Sequence, residues 1–168
     1  MNSEAVTIIS IAGKQNAGKT TLITTLIPKL KQHGYRVGTL KYNIKEFKVD
    51  HEGKDTYKYF HSGADSVVIT SQDKIAVIKR STNPPVTSEI IKKYLNDVNL
   101  VLVEGYRGED YPRIRIIDSK ETKTDEKAGV NELILINEKL KTNGFSIEDT
   151  NKALDFIENI IQCKNLSQ

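Results

Sequence analysis

From Gly13 to Thr20 the chain reads GKQNAGKT, which satisfies G-x-x-x-x-G-K-[ST] at every fixed position. Glycines at 13 and 18 allow the backbone to curl until successive N–H groups converge on an anion. A helix starting where such a loop ends adds the positive end of its dipole. The implied chemistry is the holding of a nucleoside triphosphate with Mg2+. Gly13, Lys14, Gln15, Asn16, Ala17 and Gly18 are expected to cradle the phosphates, and Lys19 to reach the β- and γ-phosphates. The Thr20 hydroxyl is expected to ligate the metal, with Thr21 placed against the α-phosphate.

A triphosphate site needs further groups for the metal and for water. In open parallel sheets these come from loops beyond the carboxyl ends of neighbouring strands. Glu104 follows the apolar run LVLV, the place of a Walker-B carboxylate, and Asp50 lies in a long polar loop after the second strand. Together with Thr20 they form the expected metal side, and with Lys19 the expected catalytic groups. Lys41, Lys45, Lys48, Lys54 and Arg107 could surround an anionic ligand; Lys41, Lys54 and Arg107 are carried forward as ligand contacts, against the alternative of a solvated charged face. Thr122-Lys123-Thr124-Asp125 is a loose match to a guanine-reading box, in which the carboxylate would accept from the base. His33 and His61 stand near helix ends and read as capping or solvent-facing groups.

The elements that must position these residues follow from periodicity. VTIISIA (6–12) is a buried strand that runs into the glycine loop. Leu22, Ile23, Leu26, Ile27 and Leu30 share one helical face, with Pro28 as a local kink and His33-Gly34 as the stop. A second strand at 35–40 completes a βαβ unit, the setting that a phosphate loop requires. Further on come a short helix (55–62), an antiparallel hairpin (66–70 and 75–78), and a helix from Thr87 or Ser88. Strands at 100–103, 113–117 and 133–136 and a last amphipathic helix with Leu154, Ile157, Ile160 and Ile161 complete the chain. This alternation predicts a three-layer α/β fold of the P-loop NTPase kind, with a mostly parallel, mixed sheet and a β-hairpin extension.

The length of 168 residues fits a single nucleotide-binding domain, 1–168, without linkers or repeats. One cysteine, Cys163, rules out an internal disulfide framework and fits a reducing compartment. No segment approaches the roughly 20 apolar residues of a membrane span. With 25 basic and 22 acidic residues the net charge is +3, too balanced for a dedicated nucleic-acid binder. The expectation is a cytoplasmic protein that engages neither membrane nor nucleic acid.

Several separated segments resemble the molybdopterin-guanine dinucleotide biosynthesis protein B family, MobB. They are GKQNAGKT, GTLKYNIKEFKVDHEGKDTYKYFHSGAD, VVITSQDKIAVIK and NLVLVEGYRGEDYPRIRII, and together they cover most of the chain. The family's phosphate-loop positions fall on Gly13, Gly18, Lys19 and Thr20, its acidic loop position on Asp50 and its strand-end carboxylate on Glu104. Departures lie at Tyr42, where the family commonly has His, at Asn43 and Ile44, at Asn99 in place of Asp, and at Arg107 in place of Lys. The resemblance implies a homodimeric GTP-binding accessory protein with weak hydrolysis. Its implied partners are molybdopterin, or its guanine dinucleotide, and the guanylyltransferase that attaches GMP to molybdopterin.

Two other functions use the same loop. A small-molecule kinase would pass the γ-phosphoryl to an acceptor, but no Arg-rich lid segment stands out. A regulatory NTP switch would couple hydrolysis to loop order and a protein partner. The motifs alone leave ATP and GTP open.

Overall fold

The structure, a computed structural model, describes residues 6–42, 44, 46–83, 85–106, 108, 110–118, 128–129, 131–137 and 145–166. The elements are β1 (Thr7–Gly13), α1 (Lys19–Gln32), β2 (Val37–Lys41), α2 (Asp55–His61), β3 (Ser66–Thr70), β4 (Ile75–Lys79), α3 (Thr87–Tyr94), β5 (Leu100–Glu104), β6 (Arg113–Asp118), β7 (Glu132–Asn137) and α4 (Ile147–Leu166). Contacts divide the chain into two compact units, residues 1–43 with 90–168, and residues 44–89.

The first unit is built on a five-stranded sheet of order β2-β5-β1-β6-β7, in which every pair is parallel. Strands covered on both faces have no polar side to present, which is why β5 reads as the run LVLV and β1 is apolar apart from Thr7 and Ser10. Alternation then sorts them. Ile9, Ile11, Leu100, Leu102, Ile114, Ile116 and Leu135 join Leu22, Leu26 and Leu30 of α1 and Ala153, Leu154 and Ile157 of α4 in the main core. Val101 and Val103 turn to the other face, where they meet Ile91, Leu95 and Val98. Helices thus cover both faces, giving the three layers read from the sequence.

The antiparallel pair does not add to this sheet. β3 and β4 form a separate two-stranded sheet in the second unit. The mixed character foreseen from the sequence therefore comes from two sheets, one wholly parallel and one antiparallel. In the second unit Arg80 closes the chain back on α2: its guanidinium lies 4.3 Å from the Phe60 ring centroid, Nε donates to the Ala64 carbonyl at 3.1 Å, and the terminal nitrogen donates to the Phe60 carbonyl.

Helix ends follow local chemistry. α1 runs unbroken through Pro28 to a cap at His33, whose Nδ1 donates to Glu158 of α4 at 2.7 Å. His61 donates from Nδ1 to the Tyr57 carbonyl at 2.8 Å. Ser146 caps α4 reciprocally with Asp149: its Oγ accepts the Asp149 N–H at 3.0 Å and donates to Asp149 Oδ2 at 2.6 Å. Among the described residues, no helix is long and apolar enough to cross a membrane.

Candidate nucleotide-binding site

Strand β1 delivers the glycine loop to the carboxyl edge of the sheet. Gly13 is paired with Ile116 of β6, and a β-carbon there would lie 2.8 Å from the Ile116 carbonyl, so no larger residue fits beside that strand. Asn16 (φ 61°) and Gly18 (φ 99°) are both left-handed, which turns the loop back on itself. Ala17 is the loop's anchor, buried in the main core with its N–H donating to the Lys14 carbonyl at 3.2 Å. Lys14, Gln15 and Asn16 are exposed, as is Thr20, while Thr21 is half-buried.

Helix α1 opens at Lys19 with Gly18 as its N-cap, no side-chain cap and no acidic residue in its first turn. Its leading N–H groups and dipole are therefore offered to an external anion, not to an internal carboxylate. Lys19 Nζ spans the loop, donating to the carbonyls of Gly13 at 3.0 Å and Lys14 at 2.7 Å. This places a positive charge across the mouth of a ring of backbone donors, an arrangement suited to polyphosphate.

Register places the Walker-B candidate. Lys41, Glu104 and Ile11 are aligned across β2, β5 and β1. Residues aligned in a parallel sheet share a face, and Ile11 faces the core that α1 covers. Glu104 and Lys41 thus project on the face from which α1 rises. Behind Glu104, Gly105 is left-handed (φ 88°), and a β-carbon there would lie 2.6 Å from the Tyr42 carbonyl. Tyr106 packs edge-on to Tyr42 (centroids 6.0 Å apart) and tilted on Tyr111 (5.0 Å). Its hydroxyl donates to Asp110 at 2.5 Å, and this bond, with burial, pushes the phenol up to about 12. β6 begins opposite Ser10, only one residue below the level of Ile11 where β5 ends, on the other side of β1.

In the second unit Asp50 Oδ1 accepts the His51 N–H at 2.8 Å. The nearby Thr56 side chain lowers its pKa most; burial opposes this, and the His51 N–H adds to the lowering, so the carboxyl stays below its usual range. Lys54, at the N-cap of α2, is exposed. Arg107, Lys45 and the Thr122–Asp125 box lie outside the described residues. Among the described residues, no group of three His, Cys, Asp or Glu could hold a metal ion.

Residues 8–143 match a family model described as molybdopterin guanine dinucleotide synthesis protein B, MobB. The chain belongs to the MobB family. A curated relative from Haemophilus influenzae, the molybdopterin-guanine dinucleotide biosynthesis adapter protein, is 30% identical over 124 residues, 73% of this chain and 69% of that protein. The adapter protein of the same name from Escherichia coli is 31% identical over 115 residues, 65% of this chain and 64% of that one. A crystal structure of molybdopterin-guanine biosynthesis protein B aligns with TM-score 0.63 and 29% identity, covering 92% of this chain and 99% of that one. Bacillus subtilis MobB shares the fold at TM-score 0.66 and 23% identity, covering 89% and 97%.

Within this MobB-family chain, the first unit brings together the glycine loop, Lys19, Thr20 and Thr21 on the sheet edge where Lys41 and Glu104 also end. Asp50 and Lys54 belong to the second unit. Two residues at the loop escaped the sequence reading. Asn137, the last residue of β7, is buried and donates from Nδ2 to the Ala17 carbonyl at 3.0 Å. Phe145, just before α4, lies with Asn137 so close to Gly18 that a β-carbon there would be 3.0 Å from each. The only signal in the sequence was a polar residue closing the apolar run LILI.

Proposed function

We propose that this chain is a GTP-binding accessory protein of molybdopterin guanine dinucleotide formation, with weak magnesium-dependent GTP hydrolysis. The observation that carries this reading is the loop geometry: left-handed turns, an uncapped helix start and the Lys19 ammonium spanning the loop mouth. Family membership supplies the pathway, since its relatives are named for molybdopterin-guanine dinucleotide biosynthesis.

In this reading Lys19 lets go of the loop carbonyls to meet the β- and γ-phosphates, and the first-turn N–H groups of α1 hold the phosphates beside it. In the first unit the donor set suits magnesium: Thr20 offers an exposed hydroxyl at the helix start and Glu104 a carboxylate on the α1 face. Bound magnesium would neutralise developing phosphate charge and take its remaining ligands from phosphate and water. Slow turnover is the reading because no residue is assigned the task of an arginine finger or of orienting water, and an arginine finger alone is worth roughly 10³ to 10⁵ in rate.

A homodimer is supported by the second unit. Val68 (61% exposed), Val77 (49%) and Ile75 (74%) lie on one open face of the hairpin. A two-stranded sheet is only marginally stable alone, and a second copy of the same face would cover it. The test is calorimetric titration with GTP, GDP and ATP, with and without Mg2+, on wild type and Lys19→Ala. Tight guanine-nucleotide binding lost in the variant is the expected result; equal affinities for ATP and GTP would remove the guanine assignment, and an unaffected variant would remove the loop assignment.

A further inference from the structure

We infer that Asn137 is a positioning residue of the phosphate loop, which aims the Gly18 N–H at the phosphates by holding the Ala17 carbonyl. This rests on the nucleotide reading above and adds to it a residue from the opposite end of the chain.

The Ala17 carbonyl and the Gly18 N–H belong to one peptide unit. Among the described residues there is no cis peptide bond, so the two groups point in opposite directions. The Asn137 Nδ2–H donates to that carbonyl at 3.0 Å from a side chain almost entirely withdrawn from water, which fixes the peptide plane. The amide orientation is determined by chemistry, because a carbonyl can only accept and the nitrogen must face it. With the carbonyl held toward β7, the N–H is held away from β7, as a ring of converging donors requires.

The plane needs holding because of its neighbours. Gly18 has no β-carbon and already sits at φ 99°, where glycine rotates at little steric cost. If the peptide turned over, it would withdraw one donor and present a carbonyl oxygen to the phosphates, replacing attraction by repulsion. The other side of Gly18 is secured by its own carbonyl, which accepts the Leu22 N–H at 2.9 Å as the first helical bond of α1. Asn137 supplies the restraint on the remaining side. A β-carbon on Gly18 would lie 3.0 Å from the Phe145 ring, so this packing favours the same glycine that the conformation requires.

The experiment compares wild type, Asn137→Ala and the equal-volume Asn137→Asp, which faces the Ala17 carbonyl with oxygen alone. Leu135→Val, a buried change two residues earlier on the same strand, is the stability control. Affinity for a fluorescent GDP and for GTP is measured below each melting temperature, and the Gly18 amide is followed by 15N NMR on GDP addition. Both Asn137 variants are expected to lose at least tenfold in affinity for GDP and GTP alike, and to lose the large Gly18 amide shift that wild type shows on binding. Leu135→Val should keep both properties. Wild-type affinity and an unchanged Gly18 shift in a folded Asn137→Asp protein would overturn the inference while leaving nucleotide binding intact. A wild type that binds no nucleotide would instead overturn the nucleotide reading and this inference with it. If neither Asn137 variant folds, the wild-type amide alone decides: an unmoved Gly18 signal in GDP-bound protein refutes the proposed aim.

Discussion

The charge of Lys19 and the carboxylate of Glu104 act at the scale of single residues. Lys19 reaches the loop carbonyls of Gly13 and Lys14 at 3.0 and 2.7 Å and not the core, so Lys19→Ala should leave the fold intact. A hydrogen bond to a charged group is worth about 1.5–3 kcal/mol, so triphosphate affinity should fall roughly ten- to hundredfold while circular dichroism stays that of wild type. Glu104→Gln keeps the shape but removes a negative charge, and should raise the magnesium concentration needed for hydrolysis more than it weakens magnesium-free GDP binding. A residue-scale pH effect is expected at Glu132. Burial opposes its ionisation, but the Gly129 N–H and the Arg115 guanidinium, 3.0 Å away, outweigh burial and lower its pKa from the ordinary 4.5. A lowered carboxylate pKa stabilises the fold above the ordinary value, and this contribution is lost as pH falls through the lowered one. Thermal melts from pH 6 to pH 3 should therefore show a shallower acid decline in Glu132→Gln than in wild type.

Helix α1 and the strands at its base act as an element. Gly18 stands where the loop becomes helix, with φ 99° and two side chains within 3.0 Å of any β-carbon. Gly18→Ala should cost about 1–3 kcal/mol of stability and weaken nucleotide binding together, because strain and loop geometry coincide there. Leu22→Ala, in a fully buried position on the same helix, should cost about 2–5 kcal/mol. Its nucleotide affinity, measured well below the melting temperature, should stay near wild type. Chemical denaturation paired with GDP titration separates the two outcomes.

The whole molecule divides its tasks between two compact units. The parallel sheet carries the glycine loop, and the second unit carries Asp50 and a hairpin with an open apolar face. Val68→Lys with Val77→Lys should convert a dimer to a monomer in sedimentation equilibrium, because like charges on that face oppose self-association. Both side chains are already solvent-exposed, so the monomer should keep its fold. An unchanged dimer would place the interface elsewhere.

The sequence by itself determined the glycine loop between β1 and α1, because GKQNAGKT encodes its own turns, and it determined most elements, because period and turn residues are local properties. The hairpin, the α2 span and the start of α3 at Thr87 were legible for that reason. Sheet membership was not: whether β3 and β4 extend the parallel sheet depends on edge pairing, which no local pattern records. Asn137 was equally hidden. Its meaning comes from a bond to a residue 120 positions earlier, made only because β7 ends beside the loop that β1 delivers. The alignment of Lys41 and Glu104 with Ile11 likewise required the strand order β2-β5-β1, since register is a property of pairing between distant segments. Local chemistry was written along the chain, and the supports that aim it were decided by tertiary neighbours that sequence distance conceals.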